Sequence, residues 1–137
     1  MLKRYTNLSF TYAVIGLISG VFFREFTKLN HFTGKTSLSS MHTHYLTLGM
    51  FFFLILLLLE KNFAFSSQKH VNKALIIYNI GLNISGIGFL MRGLTEVWGT
   101  ELSKALDASI SGISGVGHIL LAFSMLYLLL KVRKKVV

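Results

Sequence analysis

Long apolar runs separated by short polar clusters organise this chain. A hydrocarbon core of ~30 Å takes ~20 helical residues to cross. Four runs are of that order: about residues 8–26, 38–60, 74–92 and 105–130. In lipid every backbone N–H and C=O must find its partner within the protein, so the runs are expected as helices. The connections are short, which makes neighbouring helices antiparallel. The predicted fold is therefore all-α: a single integral membrane domain over residues 1–137, built as an antiparallel bundle of four transmembrane helices. The first run is read as a span and not a signal peptide. It is long, lacks a small-x-small cleavage site, and is followed by three more spans. Small residues let membrane helices approach closely. Ser9, Ala13, Gly16 and Gly20 are expected to mark a packing seam on the first helix. Ala108, Ser111, Gly115, His118, Ala122 and Met125 are expected to do the same on the fourth.

Composition agrees with this pattern. Of 137 residues, 53% are apolar, and the mean hydropathy of +0.62 is too high for a soluble domain of this size. The net charge of +9, interleaved with apolar runs, points to anionic lipid and not to nucleic acid. With no cysteine, thiolate metal sites, iron–sulfur clusters and disulfides are excluded, and with no proline nothing forces a kink. Nine basic residues lie at one end (Lys3, Arg4, Lys61, Lys69, Lys73, Lys131, Arg133, Lys134 and Lys135) against five at the other (Arg24, Lys28, Lys35, Arg92 and Lys104). The positive-inside rule then predicts a multi-pass protein of the plasma membrane with both termini in the cytoplasm. Trp98 and Tyr45 fit an interfacial aromatic belt.

Ionisable residues inside a span are costly and mark candidate function. His42 and His44 open the second span. Two residues apart on a helix they point about 200° apart, at ~100° per residue, so they serve different neighbours. Neutral imidazole ligates haem iron, copper and zinc. Haem is the cofactor best suited to a chain without cysteine and with few acids, and Tyr45, Phe51, Phe52, Phe53 and Phe89 could supply an aromatic cavity. The other reading is a pair of interfacial histidines bonded to headgroups or backbone. His118, beside Gly115 and Gly117 in the fourth span, is either an axial ligand from another helix or a hydrogen-bond partner of Asn79, Asn83 or Ser85. Arg24 and Arg92 are either interfacial anchors or the cations that hold haem propionates. His31 and His70 fall in loops and are expected to be solvated.

Residues Tyr12-Ala13-Val14-Ile15-Gly16-Leu17-Ile18-Ser19-Gly20, followed by Met41-His42-Thr43-His44, resemble the first two helices of the haem–copper oxidase catalytic subunit. The likeness is closest to the nitric oxide reductase and cbb3-type branches. There a Leu-His-Thr-Asn run opens helix two and its His binds a low-spin haem. His42 and Thr43 match that run, while His44 stands in place of Asn. His42-Thr43-His44-Tyr45 is also similar to the His-x-His of the tenth helix, which serves two haems. In length and layout the whole chain resembles DUF2871, a small family of four-helix bacterial membrane proteins. The oxidase likeness implies that this chain corresponds to one four-helix arc of a three-arc subunit. A homotrimer would rebuild that plan, with His42 of one protomer and His44 of the next sharing a haem.

The expected function is that of a haem-binding membrane protein, b-type with bis-histidine ligation. Its role would be electron transfer or the handling of haem or a diatomic gas, with a quinone or redox protein as partner. That leaves room for a cytochrome-like oxidoreductase. No nucleophile–base–acid set for a hydrolase is visible. The alternatives are a cofactor-free transporter or channel subunit, with Asn79, Asn83 and His118 lining a polar path, and a structural or regulatory membrane partner.

Overall fold

The computed structural model describes residues 1–136. Four long helices account for almost all of it. They are α1 (Leu2–Leu29), α2 (Leu38–Phe63), α3 (Val71–Trp98) and α4 (Lys104–Val136), and each is long and apolar enough to cross a membrane. All four outrun the apolar stretches read from sequence, because polar residues at the membrane surface continue a helix at little cost. The chain is thus a multi-pass membrane protein by length and composition. Both termini lie at one end, called here the basic end. The other end is the distal end.

Consecutive helices pack antiparallel, with α1 and α4 at the two sides of the row. Each contact is made where a small residue admits a neighbour. Gly16 of α1 lies against Leu46 of α2, and Gly49 of α2 against Tyr12 of α1. Gly93 and Gly86 of α3 receive Leu38 and Tyr45 of α2. The α3–α4 seam is the most extensive, with Gly81, Ser85 and Gly88 of α3 facing Leu121, Gly117 and Ser114 of α4. Gly99, in the left-handed region at φ 62°, ends α3, where Gly99 N–H donates to Glu96 O and Thr100 N–H to Thr95 O.

This corrects the expected face of α4. Its buried residues are Ile110, Gly117, Leu121, Ser124, Leu128 and Val132. Ala108, Ser111, Gly115, His118 and Ala122 lie on the exposed side. The deciding factor is complementarity. Only the Ser114–Gly117–Leu121 row meets small residues on α3.

Between α1, α2 and α3 the core is aromatic. Tyr12 is sandwiched between Tyr45 and Phe53, at 5.9 and 5.8 Å between ring centres. Phe52 stacks on Tyr78 at 4.4 Å. Tyr45 is therefore a core residue and not part of an interfacial belt. Buried hydroxyls in lipid need partners. Tyr12 donates to Asn79 Oδ1 (2.7 Å) and accepts from Asn83 Nδ2 (3.0 Å), which ties α1 to α3. Tyr12→Phe keeps the stacked ring and removes both bonds. Its expected cost is about 0.6–1.7 kcal/mol, from the average to the largest value measured for an interhelical hydrogen bond in a membrane protein. Unfolding in mixed micelles with increasing sodium dodecyl sulfate, followed by circular dichroism, reads it. An unchanged midpoint would show that the bonds carry no net stability.

In α2 the stretch Tyr45–Phe51 winds as a π-helix between the α-helical Leu38–His44 and Phe52–Phe63. The wider turn leaves backbone carbonyls open to outside donors. Tyr78 Oη–H of α3 donates to Leu48 O (2.8 Å) and Ser9 Oγ–H of α1 to Met50 O (3.0 Å). No proline is involved. The neighbours' hydroxyls support the irregular turn, which begins immediately after His44.

Candidate functional site

His44 projects from the distal half of α2 toward α3 and α4. Its Nδ1 lies 3.0 Å from Ser40 O, one turn earlier on its own helix. His118 of α4 repeats this arrangement, with Nδ1 2.7 Å from Ser114 O. A carbonyl only accepts, so each Nδ1 carries a hydrogen. A metal ligand requires an imidazole oriented in this way. The two rings meet in a T-shaped contact, 5.8 Å between centres and 84° between planes.

Phe89 of α3 forms the floor. Its ring lies edge-on to His44 at 4.5 Å and to His118 at 5.7 Å. The walls stand apart here, because α2 packs on α4 chiefly through Phe52–Phe63, in the basic half. His118 lies on the exposed side of α4, where Gly112 and Gly115 have nothing within 4 Å of a side-chain position. Of the aromatic residues expected to enclose a cofactor, Phe89 alone touches the pair. Tyr45, Phe52 and Phe53 belong to the core, and Phe51 is 53% exposed.

His42 faces away from this pair. It lies over α1, its ring 6.4 Å from Phe23 and nearly parallel to it, with Gly20 beneath. Its Nδ1 is buried without a hydrogen-bond partner. His42 and His44 thus have separate neighbours, and His44 has its imidazole partner within the same chain.

The arginines differ in the same way. Arg92 lies three residues beyond Phe89, on the same face of α3 and toward the distal end. Its guanidinium is engaged by α4: it pairs with the Asp107 carboxylate and donates to Ser111 Oγ at 2.8 Å. Arg24 is on α1, 80% exposed, with Glu25 at 3.7 Å, and lies on the far side from His44 and His118. Glu96, one turn after Arg92, holds the start of α2, where its carboxylate accepts from Ser37 N–H (2.6 Å) and Ser37 Oγ–H (3.0 Å). Asn79 and Asn83 are turned to Tyr12, so they line no common path with His118.

A repeated signal in the sequence anticipates the pair. Ser40-Met41-His42-Thr43-His44 and Ser114-Gly115-Val116-Gly117-His118 both place Ser four residues before His. A small residue there leaves room for the ring to fold back onto the preceding turn and bond its carbonyl. Among the described residues no group of three or more His, Asp or Glu side chains could hold a metal ion. An ion held by these side chains alone would have two protein ligands.

The family model described as "Protein of unknown function (DUF2871)" matches residues 2–135, and the chain belongs to that family. No curated protein and no solved structure matches it.

Proposed function

We propose that this DUF2871 protein is a haem-binding protein of the plasma membrane, with His44 and His118 as the axial pair of one b-type haem. The supporting observation is the donor set: two imidazoles from different helices, each oriented by a backbone carbonyl, with their rings in contact beside Phe89. Two nitrogens leave a bare ion short of ligands. A haem would bring four nitrogens of its own to its iron, and His44 and His118 would supply the two that remain. Phe89, in edge contact with both rings, must turn aside for a planar macrocycle to enter.

Haem bound there supplies one-electron chemistry, and two histidines leave no open position for a gas. Electron transfer or haem carriage is therefore favoured over reaction with a diatomic ligand, and electron transfer implies a quinone or redox protein as partner. Arg92, on the Phe89 face, is the arginine placed to meet a propionate, in exchange for part of its pairing with Asp107. The asymmetry of Lys and Arg puts the basic end in the cytoplasm. A bis-histidine site completed by His118 needs no second copy. Homo-oligomerisation, as a trimer or otherwise, rests instead on the exposed small residues Ala108, Gly112, Gly115 and Ala122 of α4.

The test is the ultraviolet–visible spectrum of the full chain, purified from cells supplied with a haem precursor. A Soret band is expected, with sharpened visible bands of a low-spin b-type haem on reduction by dithionite. Protein that is folded and carries no Soret band overturns the reading.

A further inference from the structure

At the basic end a groove of about 360 Å³ runs between α3 and α4. We propose that it binds one anionic phospholipid, the phosphodiester at Lys73, His70 and Lys131 and an acyl chain along Ile77 and Phe123. The groove has two chemically distinct parts. Ala74, Ile77, Phe123 and Ser124 form its apolar bed. Ser124 makes no polar demand there, since its hydroxyl already donates to Leu120 O at 2.6 Å. Phe123 is 73% exposed and Ile77 42%, so the bed opens sideways to lipid. His70, Lys73 and Tyr127 stand at the mouth. Lys131 adds its ammonium, 5.1 Å from the centre of the Tyr127 ring.

Charge complementarity selects the occupant. Among the described residues the ion pairs are Arg24–Glu25 and Arg92–Asp107, and neither involves Lys73 or Lys131. The first turn of α3 holds no acid, and its N-cap residue makes no side-chain cap bond. The partial positive charge of the helix start therefore adds to that of the lysines. At the distal end the chain supplies its own anions, with Glu96 at the start of α2 and Asp107 in the first turn of α4. At the basic end the acid is Glu60 of α2, which accepts from Ser66 N–H (2.9 Å) and pairs with neither lysine. A small soluble anion gains nothing from the apolar bed, and a neutral lipid gains nothing from the cations. An anionic phospholipid uses both. Basic pockets between helices are a recurrent form of such recognition.

Native mass spectrometry of the full chain in dodecyl maltoside, titrated with phosphatidylglycerol or phosphatidylcholine of equal chain length, tests this. Phosphatidylglycerol should be retained at least ~5-fold better, and Lys73→Gln and Lys131→Gln should each remove about 5-fold of its affinity, the scale of one lysine at a membrane surface. Lys134→Gln, in the last turn of α4 and outside the groove, should leave it unchanged, and inorganic phosphate should not displace the lipid. Elution volume and helical circular dichroism confirm that each variant is folded. Equal retention of the two lipids, an equal loss in Lys134→Gln, or displacement by inorganic phosphate would each overturn the proposal.

Discussion

His44→Ala and His118→Ala are each expected to abolish the Soret band, whereas His42→Ala should retain most of it. The two effective positions differ from the third in what each nitrogen is doing. His44 and His118 have Nδ1 on a carbonyl of their own helix and their rings in contact with each other. His42 has its ring on Phe23 of α1 and an unpartnered Nδ1. Loss of an axial ligand should exceed the ~10–100-fold drop in affinity that follows removal of an outer-shell partner. Either single change should therefore leave haem unbound at micromolar protein. Imidazole added to His118→Ala should restore part of the band, because His118 lies on the exposed side of α4 and its vacated place is reachable. The opposite pattern, with the band lost in His42→Ala and kept in His118→Ala, would reject the pair. It would return the choice to His42, the position that matches the oxidase-like motif.

The sequence made some of this legible and hid the rest for a physical reason. Span number and antiparallel order follow from run length and short connections, because lipid leaves the backbone no other solution. The choice of packing face does not follow. In water a helix advertises its buried side by polarity, but in lipid both sides are apolar. Ala108–Gly115–Ala122 and Ser114–Gly117–Leu121 look alike as strings of small and aliphatic residues. Only the presence of Gly81, Ser85 and Gly88 opposite the second row selects it. The π turn after His44 was equally invisible, since it depends on hydroxyls from Ser9 and Tyr78, far away in the chain. The histidines themselves stood out as costly polar groups in apolar runs. Their pairing did not, because it depends on which helix lies beside which.

The α3–α4 seam that holds His118 opposite His44 leads to the second large effect. Gly81→Ala and Gly117→Ala are expected to destabilise the protein by up to about 2 kcal/mol each, the usual overpacking cost of about 1–3 kcal/mol less the gain in helix propensity. A methyl on Gly81 would stand 2.8 Å from Leu121 N and 2.9 Å from Gly117 O. One on Gly117 would stand 2.6 Å from Ser85 N. These obstacles are backbone atoms, so relief requires two whole helices to separate and no side chain can simply turn aside. The gain in helix propensity from Gly to Ala, about 1 kcal/mol, offsets part of the overpacking cost. Gly112→Ala and Gly115→Ala supply the contrast on the same helix. Nothing lies within 4 Å of either new methyl, so the propensity gain stands alone and the monomer should be unchanged or slightly more stable. Detergent unfolding midpoints read all four. Equal tolerance of Gly81→Ala and Gly112→Ala would show that the seam is looser than its geometry. If Gly112→Ala and Gly115→Ala instead destabilise, and shift the elution volume toward a smaller particle, the open face of α4 is covered by a second copy. His118 would then lie at a subunit boundary.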